Sequence, residues 1–490
     1  MRKLLIILGV PVDDLNMSEA LQRLEEFIRI GRATGKSHQI ATVNADFVVN
    51  SLQDPELRRI LQESDMATAD GMPLVMGARL LGVPLTGRVT GADMVPALAE
   101  RAAERGYSIF LLGARDGVAA RAAQILKSRY AGLKIVGVLS PPNTSILEMD
   151  GSILEEIKAA NPDILLVAFG NPKQEKWISM YANELSVPIC IGIGGTLDMI
   201  AGITKRAPLW MQRSGLEWLY RLAQEPRRLW KRYVLDLGYF GYFFVRQWWA
   251  MRRGRIPSTL LPLSDTIVVE NTVILNIQGR MDSGNLAAFV DQATQALAIS
   301  PFLIVNLARA EFFDSSAMGA LVALANRARE AGGGLRLVAV SPPVARILSL
   351  VRLDRFFDID DDVETSLKSC RISSATWVAP EQDHQGWVVL KMPRSLDANT
   401  VPELIETCTA RMAENVRLIL DFSETTFVAS AGLAAMVKIN RQSKEQGGEL
   451  RVIGCSGDVL RGIKLVKLDL VIPLFQDLQS AIAPVVTPAY

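Results

Sequence analysis

The sequence predicts an α/β protein: one larger domain on a mostly parallel sheet, a basic helical appendage, and two small α/β domains after it. Three observations carry this. Up to residue 204, short β-branched runs alternate with helical patterns, as in "YSIFLLG" then "VAARAAQILKSRY", or "DILLVAFG" then "PKQEKWISMYANEL". Residues 205–255 change character, with 12 Lys/Arg against 3 Asp/Glu and five of the chain's eight tryptophans. Beyond them the chain repeats itself at an offset of 115, pairing Asp282/Asp397, Asn306/Asp421, Ser315/Ser430, Gly332/Gly447, Leu335/Leu450, Arg336/Arg451 and Ser341/Ser456. A period this long, present twice, means tandem domains and not a solenoid.

Composition narrows the function classes. At 490 residues and 49% apolar the chain is long enough for about three packed domains. Its 53 basic and 52 acidic residues leave a net charge of +1, which argues against nucleic acid as a partner. Cys190, Cys370, Cys408 and Cys455 form no C-x-x-C pair, so neither a disulfide framework nor a zinc site is expected, and a reducing cytosol fits. With only His38 and His384 present, carboxylates and arginines must carry any chemistry. "MRKLLIILGVPVDDL" lacks a cleavage pattern and reads as a first strand rather than a signal peptide. The most membrane-like stretch, "LGYFGYFFV" at 237–245, is too short to span a bilayer but suits lying on one.

In open parallel sheets, ligands collect at the carboxyl ends of the strands. That directs attention to Asn44 after "IATV", Asp70 after "MATA", "GARDG" at 113–117, "GNPKQE" at 170–175 and "GIGGTLD" at 192–198. Asp70 precedes Gly71 and, after Met72, Pro73; this pattern reads equally as a turn or as a carboxylate held at a strand end for chemistry. The glycine-bearing turns offer backbone N–H groups to a phosphate, or serve packing. In the appendage, Arg206, Arg213, Arg221, Arg228 and Arg232 would share one face of a continuous helix, with Pro208 and Pro226 as potential breaks. A solvated basic face is the plainer alternative.

These segments resemble the WecG/TagA/CpsF family of glycosyltransferases over the first 235 or so residues, through "TVNADFVVN", "ATADGMPLV", "GRVTGADM", "LLGARDGVAARAA", "FGNPKQEKW", "GIGGTLDMIAG" and "KRAPLWMQRSGLEWLYRLAQEPRRLWKRY". The resemblance implies a Rossmann-like domain that transfers an N-acetylmannosamine-type sugar from a UDP donor to a polyprenyl-diphosphate-linked acceptor. It makes Asp70 the catalytic base, with Thr42 and Asn44 beside it, and gives Arg88 and Gln174 substrate contacts. Arg213, Arg221, Arg227 and Arg228 are the candidates for binding a diphosphate, and the appendage is expected to engage the membrane surface. No D-x-D motif occurs in residues 1–250, so no metal or other cofactor is expected.

Each repeat resembles a STAS domain, the fold of anti-sigma factor antagonists, whose serine turn is usually D-S-[ST]-G-[LM]. The first copy, "DSSAMG", keeps Asp314 and Ser315; the second, "VASAGL", keeps Ser430 but has Ala429 for the aspartate. Phosphorylation is therefore expected at Ser315 if at either serine, by a STAS-binding regulatory protein or kinase, the alternative being a serine that caps a helix. The expected domains are 1–204, the appendage 205–255, a linker 256–265, and repeats at 266–370 and 380–485. The expectation is a cytosolic inverting glycosyltransferase, peripheral on the inner face of the cytoplasmic membrane, serving surface polysaccharide synthesis. The alternatives are an inactive UDP-sugar sensor and a STAS-based signalling scaffold.

Overall fold

The computed structural model describes residues 2–142, 146, 149, 151–214, 216–224, 226–253, 264–269, 271–373, 381–384, 386–414, 417–455 and 457–482. Most of the expected linker at 256–265 lies outside them. The chain forms two compact units, one covering the chain up to residue 375 apart from two short stretches, the other the remainder.

The larger unit opens with β1 (Leu4–Ile7) and β2 (Val10–Asp13), then α1 (Met17–Thr34), β3 (His38–Val43), α2 (Ala45–Gln53), α3 (Pro55–Glu63) and β4 (Met66–Ala69). Next come α4 (Met72–Leu80), α5 (Gly91–Arg105), β5 (Ser108–Gly113), α6 (Val118–Arg129), β6 (Lys134–Leu139), α7 (Ser152–Ala160), β7 (Ile164–Ala168), α8 (Lys173–Leu185), β8 (Ile189–Gly192) and α9 (Thr196–Ile200). Six strands form a wholly parallel sheet in the order β4-β3-β8-β7-β5-β6. Strands β7 and β8 are buried at every residue, as continuous apolar runs covered on both faces require. The N-terminal stretch forms a first strand, as expected, and β1 pairs antiparallel with β2 as a hairpin separate from the six-stranded sheet.

The appendage is α10 (Leu209–Ser214), α11 (Glu217–Gln224) and α12 (Pro226–Arg253). The single helix that would align all the arginines is thus broken, with Pro226 opening α12 where a missing N–H costs nothing. Helix α12 is two-faced. Phe240, Phe244, Gln247 and Met251 are buried, while Leu235, Tyr239, Tyr242, Val245 and Trp249 are exposed. Each set recurs at intervals of three or four residues, the helical period.

The first repeat completes this unit with β9 (Ser264–Val269), β10 (Thr272–Met281), α13 (Leu286–Ile299), β11 (Phe302–Phe313), α14 (Ser315–Glu330), β12 (Gly334–Val338), α15 (Pro342–Leu350), β13 (Asp358–Asp360) and α16 (Val363–Ser373). Its sheet runs β13-β12-β11-β10-β9, with only β9 antiparallel. One hydrophobic core continues from β1, β2 and α2–α4 through α12 into this repeat.

The second unit is built on the second repeat: β14 (Glu381–His384), β15 (Trp387–Lys391), β16 (Ser395–Leu396), α17 (Val401–Glu414), β17 (Arg417–Asp421), β18 (Phe427–Val428), α18 (Ser430–Glu445), β19 (Glu449–Ile453), α19 (Gly457–Leu465), β20 (Leu474–Phe475) and α20 (Leu478–Ile482). Its main sheet, β14-β15-β17-β19-β20, reproduces the first repeat's topology, including the antiparallel edge strand.

Candidate active site

A cleft of about 360 Å³ opens at the carboxyl ends of β3, β4, β7 and β8. Asp70 follows the last residue of β4, and its backbone N–H donates to the Val43 carbonyl of β3 (2.7 Å). Gly71 then turns the chain at φ +142°, a conformation open to glycine alone, and Pro73 lies in the first turn of α4. The Asp-Gly-x-Pro stretch is therefore both a turn and a mount: it ends a strand, starts a helix and leaves the carboxylate facing the cleft. Asp70 Oδ2 accepts a long hydrogen bond from the Gly91 N–H at the start of α5 (3.4 Å).

Burial pushes the Asp70 carboxyl up to about 6, against the opposing pull of Arg221, the Gly91 N–H and Arg88, with Glu217 adding a little to the rise. Thr42 and Asn44 stand at the end of the neighbouring strand. Thr42 Oγ1 donates to the Gly192 carbonyl (3.0 Å), which ties β3 to β8. The Asn44 side chain caps α2 by accepting from the Phe47 N–H (3.2 Å).

Arg88, Gln174 and Arg221 also line the cleft, as the family motifs imply. Arg88 Nη1 is 3.5 Å from Glu217 Oε2, and Arg221 Nη2 lies 3.6 Å from the Met199 sulfur. Gln174 is buried, and both ends of its amide are engaged: Oε1 accepts from the Gly170 and Gly194 N–H groups (3.1 and 3.0 Å), and Nε2 donates to Glu175 Oε1 (2.7 Å). It ties together the loops after β7 and β8 rather than projecting a free amide. The side chains of Arg213, Arg227 and Arg228 lie outside the described residues. Ser315 is not among the cleft-lining residues and is 1% exposed.

Other residues contribute, and apart from Arg206 none of them was singled out by number in the sequence. Glu217 lines the cleft from the otherwise basic appendage, and Arg115 pairs with Asp198 at its rim (2.8 Å). Arg206 forms a bidentate pair with Asp93 (2.5 and 2.7 Å), which fastens the start of the appendage to α5. Glu175, beneath Gln174, is pushed up to about 8 by burial and is neutral at pH 7. "GARDG", "NPKQE" and "SGLEWLYRLAQ" held the signal for Arg115, Glu175 and Glu217.

Chemically, the cleft offers one carboxylate poised near neutrality beside three guanidinium groups. The N-termini of α2, α4 and α5 lie around it, so their helix dipoles add positive potential. Such a site suits a group-transfer enzyme that takes a proton from one substrate and stabilises an anionic leaving group on another. The chain belongs to the WecG/TagA/CpsF family of glycosyltransferases, matched over residues 5–254, and carries two STAS domains, matched over 264–366 and 377–481.

Among similar proteins, the N-acetylglucosaminyldiphosphoundecaprenol N-acetyl-β-D-mannosaminyltransferase of Bacillus subtilis (strain 168) is 33% identical over 224 residues, 46% of this chain and 84% of that one. The protein of the same name in Staphylococcus aureus (strain MW2) is 27% identical over 224 residues, 46% and 85% of the two chains. Among solved structures, an anti-sigma factor antagonist from Thermotoga maritima aligns with 19% identity over 21% of this chain and 91% of its own, with a TM-score of 0.20. One from Mycobacterium paratuberculosis aligns with 22% identity over 23% and 95%, with a TM-score of 0.21.

Proposed function

We propose that the chain transfers an N-acetylmannosamine-type sugar, with inversion, from a UDP donor to a hydroxyl of an acceptor sugar carried on polyprenyl diphosphate, in surface polysaccharide synthesis. The observation that carries this reading is the Asp70 carboxylate at the end of β4, in a cleft that also holds Arg88, Arg115 and Arg221. Asp70 takes the acceptor hydroxyl's proton as that oxygen bonds to the anomeric carbon. The bond from that carbon to the UDP oxygen breaks at the same time, and UDP departs with the electron pair. The arginines and helix N-termini stabilise the diphosphate charge that develops. The names of the relatives support this acceptor class.

Incubation with a panel of UDP-sugars and a short polyprenyl-diphosphate-GlcNAc analogue, followed by UDP release and product mass, tests the reading. A disaccharide lipid with one UDP released per transfer is expected. Binding of a UDP-sugar without turnover would make the chain a sensor instead.

An acceptor of this kind requires contact with a bilayer, at the inner face of the cytoplasmic membrane. Among the described residues no helix is long and apolar enough to cross a membrane. The exposed Leu235, Tyr239, Tyr242, Val245 and Trp249 face of α12 suits lying on one, with Arg246 and Arg252 close to the Tyr242 and Trp248 rings (5.8 and 4.9 Å). Each basic side chain near an anionic surface contributes about 1 kcal/mol, so a double Arg246→Ala, Arg252→Ala change should weaken binding to anionic vesicles roughly thirtyfold. Salt should weaken the wild type likewise. Equal sedimentation with neutral and anionic vesicles would remove membrane docking by this face.

A further inference from the structure

The two repeats share a topology, yet their serine helices have different surroundings. In α14 every residue from Ser315 to Ala325 is buried, an unusual state for a helix packed on one side of a small sheet. In α18 the corresponding helix keeps an open face. Val437 is 42% exposed and Lys438 is exposed, whereas their counterparts Val322 and Ala323 are 0% and 2% exposed.

What covers α14 is the catalytic half of the chain. Gly319 packs against β1 so closely that an added Cβ would fall 2.2 Å from the Leu4 carbonyl oxygen; the second repeat has Ala434 at this position. From the other side, a Cβ on Gly9 would meet the Val351 carbonyl oxygen at 2.2 Å. Around this apolar contact, Asn326 Nδ2 donates to the Gln62 carbonyl (2.7 Å), Arg352 Nη1 to the Leu52 carbonyl (2.6 Å), and Lys36 pairs with Glu330 (3.1 Å).

Gln247 of α12 is the junction. Its Nε2 donates to the Ile6 carbonyl (2.9 Å), its Oε1 accepts from the Leu8 N–H (2.8 Å), and Ser315 Oγ lies 3.4 Å from Nε2 and 3.1 Å from the Met251 sulfur. The same helix packs Phe244 over Gly77 of α4, the helix that begins beside Asp70, and places Leu237 on the cleft wall.

We propose that the serine-turn face of the first STAS domain is an internal docking surface whose partner is this chain's own β1–β2 hairpin and α12. Docked, it holds α12 against the catalytic domain; released, it lowers transfer. Ser315 is then a seal within the interface, reachable by a modifying enzyme only after release. The activity half of this inference rests on the transfer reading above; the docking half does not.

Gly319→Ala in the full-length protein tests it, because the two states give opposite signs. On a free helix alanine is the better helix former and should slow amide exchange in α14 by roughly fivefold. Against Leu4 its Cβ has no room, so exchange in β1, α14 and the second half of α12 should instead rise at least tenfold, with β10–β12 still protected. Turnover should fall several-fold. Asn326→Asp, isosteric and at the rim, guards against a folding failure: it sets a carboxylate oxygen against the Gln62 carbonyl and should loosen the same segments. Slower or unchanged exchange in both variants overturns the docking. Loosening with normal turnover overturns the control of activity. A wild type that transfers no sugar overturns the transfer reading, while the exchange results still decide the docking.

Discussion

Asp70→Asn should lower turnover by roughly 10²–10⁴-fold while leaving the fold intact, since asparagine keeps the size and hydrogen-bonding reach of the base but cannot accept the proton. The wild-type rate at low substrate should rise with pH and level off above about 6, the value to which burial pushes this carboxyl. The same shift makes a stability prediction. The folded value exceeds the unfolded one, so the stabilisation present below about pH 4 is lost as pH rises through about 6. At pH 7 the ionised carboxylate therefore opposes folding, and Asp70→Asn should stabilise the protein, by on the order of 1–3 kcal/mol. Loss of activity with a raised melting temperature would be the signature of a base; near-normal turnover would return Asp70 to a turn residue.

The parallel sheet was legible because its strands are buried on both faces and so read as unbroken apolar runs, as in "DILLVAFG". The site was legible for a related reason: strand ends in such a sheet are where ligands bind, and Asp70, Thr42 and Asn44 all stand there. What escaped was long-range. "LLII" looks like any first strand, and nothing local says that it pairs with β2 apart from the main sheet and is covered by a helix more than 300 residues later. The apolar stretch from Ala317 to Ala325 contains that information only in comparison with its repeat, where the exposed Lys438 replaces Ala323. Gln174 lines the cleft, but its amide has another occupation. Its motif pointed to a substrate contact, whereas its amide is already taken by two loop N–H groups and a neighbouring carboxyl.

Gln174→Ala should accordingly act as a structural break at the site, with turnover down about a hundredfold and stability down by about 2–5 kcal/mol. The Gly170 and Gly194 N–H groups would lose their acceptor, and the Glu175 carboxyl, already without a partner at Oε2, would lose its donor at Oε1. A group left unsatisfied costs about 1–3 kcal/mol where it is buried, as Glu175 is, and less at the partly exposed Gly170 and Gly194. The loops concerned carry Asn171 and Thr196 into the cleft, so their loosening reaches the substrate. Glu175→Gln is the companion measurement. Burial holds Glu175 neutral to about pH 8, so glutamine, neutral and of the same shape, should leave turnover at pH 7 near the wild-type level. Stability should separate the two proteins as pH changes. In the wild type the folded value lies above the unfolded one, so stability from this group is full below about 4.5 and declines as pH rises through about 8. Glutamine has no proton to lose, and melting temperatures of Glu175→Gln between pH 5 and 9 should show a flatter profile than the wild type. Parallel profiles would mean that Glu175 is already ionised in the fold, and normal turnover in Gln174→Ala would mean that the two loops hold their places without it.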